Sequence, residues 1–228
     1  MWTAIRNKFK RRPFPANLEA LRHCRVSYGQ FGEDLFLTLL FGYEKTDGVY
    51  VDVGCFQPIF YSNTYIFYER GWRGVAIDPN PSLKSQWAHR RPGDTFVNCA
   101  IAKNCAAVTY LQHVRYPAMN CVVHESETHD PAQYKASTCE AAPLSEILAQ
   151  HLSSPRIDLL NIDCEGRDLQ VLETHDFAKH RPIVIAIEDR EMSLETPVSL
   201  FLLERNYECL AYIGLTKIFR AKDYGLLT

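Results

Sequence analysis

Short unbroken apolar runs alternate along this chain with longer stretches in which apolar residues recur every three or four positions. The runs are Val49–Val53, Gly74–Ile77, Thr95–Ala102, Ala106–Gln112, Ile157–Asp163, Pro182–Ile187, Tyr207–Ile213 and Thr216–Phe219. Their lengths and β-branched content predict strands, and continuous hydrophobicity predicts strands covered on both faces. Helical spacing predicts helices over Glu33–Phe41, Tyr65–Arg70, 82–91, Pro143–His151, Asp168–Thr174 and Val198–Arg205. Strands that alternate with helices indicate an α/β fold, and the last two runs, joined around Gly214, read as a closing antiparallel hairpin.

The strand ends carry the chemistry. Val51-Asp52-Val53-Gly54 delivers a carboxylate and then a glycine, whose missing Cβ lets the chain turn and approach a ligand. The second run ends at Asp78, 26 residues after Asp52, the length of one βαβ unit. Ser62-Asn63-Thr64 between them is a helix-cap signal. An acid at the second strand end can accept hydrogen bonds from both hydroxyls of a ribose. G-x-G-x-x-G is absent after the first strand, which argues against a dinucleotide and for a nucleoside without phosphates, such as S-adenosylmethionine (SAM). Asp163 and Glu188-Asp189 end two further runs. Each acid alone could form a turn or cap a helix. Four sets at one edge of a parallel sheet repel one another unless a ligand or ion engages them, and SAM is cationic at sulfur.

Several motifs in order resemble the FkbM-type SAM-dependent methyltransferases. They are Ser27-Tyr28-Gly29-Gln30-Phe31-Gly32-Glu33-Asp34, Val51-Asp52-Val53-Gly54, Ser62-Asn63-Thr64, Gly71-Trp72-Arg73-Gly74, Ile77-Asp78-Pro79-Asn80-Pro81 and the stretch from Asp158 to Asp168. The resemblance covers roughly residues 27 to 220. It implies a class I methyltransferase (Rossmann-like) fold, with a mostly parallel seven-stranded sheet and helices on both faces. It also implies methyl transfer to a hydroxyl, of a sugar in a glycan or glycolipid by preference. Glu33 (with Gln30), Asp52, Gly54, Ser62, Asn63, Asp78, Pro79, Cys99, Ala100 and Asp163 are then expected around the cofactor. Cys55 and Cys164 stand where the family more often has small or aliphatic residues, and read as packing changes.

Glu165, two residues past Asp163 in a turn kept open by Gly166, is the expected general base, with Asp163 beside it. Asp163, Glu188 and Asp189 are alternatively hard oxygen ligands for Mg²⁺, which would activate the hydroxyl directly. Arg167 and Arg190 are the nearby cations able to neutralise the cluster instead. Two other readings are a nicotinamide-dependent sugar-modifying enzyme and a non-catalytic SAM-binding module; titrations with nucleotide and with SAM separate them.

Composition narrows the setting. The 228 residues suit one domain, 27–228, behind a basic segment, 1–26. A net charge of −2 makes no case for nucleic acid. The eight cysteines form no C-x-x-C pair, which with the absence of a long apolar run predicts a cytoplasmic protein without disulfides. Trp2, Ile5 and Phe9 share one helical face among five basic residues between Arg6 and Arg12. This reads either as a frayed terminus or as a weak peripheral membrane contact through residues 1–12. Residues 113–142 lack periodicity and are expected to be an acceptor-binding insertion, a lid over the site, where Tyr116, Met119 and Tyr134 would meet a sugar or an apolar acceptor.

Overall fold

The apolar runs at the centre of the sequence become the centre of a sheet. In the computed structural model, which describes residues 22–104, 106–123, 129–152 and 154–224, seven strands lie side by side. In chain order they are β1 (Val49–Val53), β2 (Arg73–Ile77), β3 (Thr95–Val97), β8 (Leu159–Ile162), β9 (Val184–Glu188), β10 (Tyr207–Ile213) and β11 (Thr216–Ala221). A second sheet takes β4 (Ala100–Ile101), β5 (Ala106–His113), β6 (Cys121–Val123) and β7 (Tyr134–Ala142). The first sheet runs β10-β11-β9-β8-β1-β2-β3. Its pairs from β3 to β9 are parallel, whereas β11 is antiparallel to both neighbours. This is the expected mostly parallel sheet with a closing hairpin.

Helices cover both faces, because alternate strand residues point in opposite directions. Val51, Val53, Leu160, Ile162, Ile185 and Ile187 pack with α4 (Leu144–His151), α5 (Asp168–Glu173) and α6 (Pro197–Glu204). Tyr50, Leu159, Val184 and Ala186 pack on the other side with α1 (Glu33–Phe41) and α2 (Tyr65–Glu69), around Trp72. α3 (Lys84–Arg90) buries Trp87 against Ala76 and Cys55. Among the described residues, no helix is long and apolar enough to cross a membrane.

Two stretches differ from the sequence expectation. The run Thr95–Ala102 is broken at Asn98, where Cys99 N–H bonds to the Val97 carbonyl at 3.1 Å and turns the chain into the second sheet. Within 113–142, where the sequence shows no periodicity, β6 and β7 form, and β7 pairs residue for residue with β5 from Tyr134 to Ala141. Its lack of periodicity has a physical cause, since Lys135 to Thr138 are all exposed and no face is selected for apolar residues. The expected helix and membrane contact within residues 1–12 lie outside the described residues.

Candidate active site

The C-terminal ends of β1, β2, β8 and β9 meet at one edge, and the acids meet there with them. Asp52 shares the Tyr50 face of β1, so its carboxylate points beneath α2. Thr64 Oγ1 donates to one oxygen at 2.5 Å, and Asn161 Nδ2, its register partner on β8, donates to the other at 2.8 Å. Asn161 Oδ1 in turn accepts from Asn63 Nδ2 at 3.0 Å. Burial, opposed by the charge of Arg91, raises the Asp52 pKa. Both oxygens being engaged inside the protein, Asp52 acts by holding strand tips in register. Ser62 Oγ accepts from Tyr65 N–H at 3.1 Å, so it is Ser62 that caps α2.

Arg91 lies behind this corner and is 1% exposed. Its guanidinium donates to Asp94 at 2.7 Å, to the Tyr50 hydroxyl at 2.6 Å and to Thr64 Oγ1 at 3.0 Å, and stacks over the Trp87 ring. In the sequence Arg91 marks only the end of the helix over 82–91; the signal for its burial is the Arg-Asp spacing of three.

Asp78 extends past β2. Its carboxylate accepts Phe56 N–H at 3.0 Å and Asn80 N–H at 2.8 Å, and burial pushes its pKa to about 6. Each oxygen keeps a lone pair, so the two-hydroxyl role expected of it fits the geometry. Gly54 has φ +74°, and a Cβ there would overlap the Asp163 carbonyl oxygen. No other residue could bring the β1 and β8 exits so close.

Asp163 differs from the other acids. It is open to solvent, and no donor among the described residues reaches its carboxylate. Desolvation by the protein packed around it, and then the charge of Glu188, hold its pKa well above the usual carboxylate range. Glu165 follows at φ +52° and Gly166 at φ +92°, a left-handed pair that aims Glu165 back over the edge. Arg190 Nη2 donates to Glu165 at 2.8 Å while its Nε donates to Glu188 at 3.0 Å. Burial and Glu188 raise the Glu165 pKa, against the pull of Arg190. Asp168, pushed up to about 7 by burial, accepts the Cys164 and Gly166 N–H groups and closes the turn.

The expected Mg²⁺ set does not assemble. Asp189 accepts from Lys217 Nζ at 2.7 Å and from Thr196 Oγ1 at 2.5 Å, deep under the loop after β9. Glu188 is held by Arg190, so Asp163 faces the edge without the other two, and no three His, Cys, Asp or Glu among the described residues form a metal group. The signal for Lys217 and Asn161 was a polar residue inside an apolar strand run, since buried polar groups require partners. Of the remaining expected residues, Glu33 is buried and accepts Phe31 N–H at 2.8 Å. Asn63, Glu33 and Asp34 crowd Gly29, the residue before Gln30. Pro79 lies between Asp78 and Asn80, in the turn that leaves β2. Cys99 lines a cavity of about 450 Å³ against α4, whereas Ala100 is buried beside it in β4 and does not line it.

The family model of the FkbM methyltransferase domain matches residues 47–209. No curated protein matches the chain. Among solved structures, a methyltransferase from Geobacter sulfurreducens is similar at 13% identity and a TM-score of 0.48, over 96% of this chain and 94% of that one. The METTL16 methyltransferase domain gives 12% identity and a TM-score of 0.48, over 84% of this chain and 66% of that one. The Burkholderia thailandensis 1,6-didemethyltoxoflavin-N1-methyltransferase, solved with 1,6-didemethyltoxoflavin and S-adenosylhomocysteine, gives 12% and 0.41, over 85% and 80%.

Proposed function

The chain belongs to the FkbM methyltransferase family, and from that premise we propose that it uses SAM to methylate a hydroxyl group of a sugar in a glycan or glycolipid. The observation that carries the reading is Asp163: a solvent-facing carboxylate without a donor, crowded by other acids, at the edge where Asp78 and Gly54 also end. Such a group favours a cationic ligand beside it.

Bound there, SAM supplies an electrophilic methyl group on a sulfonium sulfur. Asp78 would hold the ribose hydroxyls, Gly54 gives the backbone room to approach, and Asp163 would orient the cationic end. The chain's own contribution to the transfer is alignment and proton removal. Glu165 takes the proton that the acceptor hydroxyl loses as its oxygen gains the methyl group, and then returns it to solvent. A raised pKa makes Glu165 a better base than an ordinary glutamate, and Arg190 keeps it ionised while idle.

Incubation with methyl-labelled SAM and a pool of glycans, read by mass spectrometry, tests the reading. Label on a carbohydrate oxygen is the expected result. Binding of SAM with no transfer to any hydroxyl would overturn the O-methylation assignment.

A further inference from the structure

A second cavity, of about 340 Å³, lies where the second sheet faces the loops after β1 and β2. Its lining is chemically uneven. Gln57, Gln86 and Gln112 contribute side-chain amides, Asn80 adds one whose oxygen already accepts from Ser82 N–H at 3.1 Å and Ser82 Oγ at 2.7 Å, Leu83 and Pro117 contribute apolar surface, and no carboxylate lines it. Gln57 and Gln86 make no side-chain hydrogen bond among the described residues, and Gln112 has only a long one, 3.5 Å to Asn80. Amides both donate and accept, as the hydroxyls of a sugar ring require. Lys135, on β7, is the one fully charged side chain in the lining, and it has no acidic partner among the described residues. Three cations around the active edge are paired: Arg91 with Asp94, Arg190 with Glu165 and Glu188, and Lys217 with Asp189.

The second sheet, which walls this cavity with Gln112 and Lys135, meets the base-bearing turn through its other face and through β6. His113, also in the lining, packs edge-on against Tyr134, with ring centroids 4.9 Å apart. The charge of Glu165 is felt at the Tyr134 phenol. Arg167, two residues past Glu165, donates to the Val122 carbonyl of β6 at 3.1 Å, tying the base-bearing turn to the second sheet.

We propose that this cavity is an acceptor subsite for a saccharide carrying an acidic group, with the neutral amides on its hydroxyls and Lys135 on its anion. The proposal rests on the methyltransferase reading only in calling the saccharide an acceptor. Binding of methyl glucuronide and methyl glucoside to the full chain, followed by saturation-transfer NMR, tests it, with SAM affinity measured separately by calorimetry. The glucuronide is expected to bind at least fivefold tighter than the glucoside, and Lys135→Gln to remove that preference while leaving SAM affinity within twofold. Equal binding of the two sugars, or binding of neither, would overturn the subsite. Loss of SAM affinity in Lys135→Gln would overturn it too, by giving the cavity to the cofactor. If SAM fails to bind the wild-type chain but the glucuronide preference holds, the methyltransferase reading fails and the anionic saccharide site stands.

Discussion

Replacing Arg91 by methionine removes one side chain and leaves three groups behind. Asp94 keeps the Tyr50 hydroxyl and the Gly74 N–H, at 3.0 Å, but loses the one cation paired with it among the described residues, in a place where its side chain is fully buried. Thr64 loses the guanidinium that it accepts from while it still donates to Asp52. Methionine fills most of the volume, so the cavity contribution is small and the uncompensated charge dominates. Breaking a buried pair from one side costs about 3–5 kcal/mol. In a domain of this size about 1 kcal/mol shifts the melting temperature by roughly 2–4 °C, so Arg91→Met should lower Tm by about 6–20 °C. Calorimetry at pH 7 reads this directly. The second half of the test is Arg91→Met with Asp94→Asn, which removes both charges and should recover at least about a third of the loss, since neutral pairs are cheaper to bury than lone ions. A single variant destabilised by less than about 1 kcal/mol, or a double variant no better than the single, would refute the idea that charge compensation holds this corner.

Asp78→Ala should weaken SAM binding by about 1.5–3 kcal/mol in calorimetry, and wild-type affinity should decline as pH falls through about 6, where this carboxyl gains its proton; pH-independent binding would remove Asp78 from the ribose. Glu165→Gln should lower the transfer rate by about 10²–10⁴-fold at unchanged SAM affinity, and an unaffected rate would exclude it as the base. With Asp189 held by Lys217 and Glu188 by Arg190, exhaustive EDTA treatment should leave turnover intact, whereas loss and recovery with Mg²⁺ would restore the metal site. His175 is buried and pushed down to about 4, and its Nδ1 has no hydrogen-bond partner among the described residues. Between pH 6.5 and 4 the unfolded chain therefore takes up a proton that the folded one refuses, and stability falls with pH across that window by up to about 3 kcal/mol. Asp78 and Asp168, raised, act in the opposite direction, so the test is comparative: His175→Gln should lose less stability than wild type between pH 7 and 4.5.

The main sheet was legible because its signals are local. Val49–Val53, Gly74–Ile77 and Leu159–Ile162 are apolar at nearly every position, as burial on both faces demands, and each ends in its acid. What was not legible depends on partners far away in the chain. Asn161 reaches Asp52 across 109 residues, Arg91 reaches Tyr50 across 41, and Lys217 reaches Asp189 across 28. Nothing in the neighbouring sequence announces such a pairing. The metal expectation failed for the same reason: acids at successive strand ends converge, but whether they face a ligand or a buried lysine is decided by β11. β7 escaped detection because its exposed positions carry no alternation to read.

The second sheet enters and leaves the fold at one place. Ala100 lies beside Ala141 and Ile101 beside Ala142, so the forty-odd residues of this excursion begin and end as neighbours. A segment anchored in this manner can be lengthened, shortened or exchanged without moving the strands on either side of it. The cavity wall with Lys135 lies on that segment, whereas Asp52, Asp78 and Asp163 lie outside it. Acceptor choice can thus diversify, in nature or in the laboratory, by grafting residues 100–142 as a cassette onto an unaltered cofactor-binding frame.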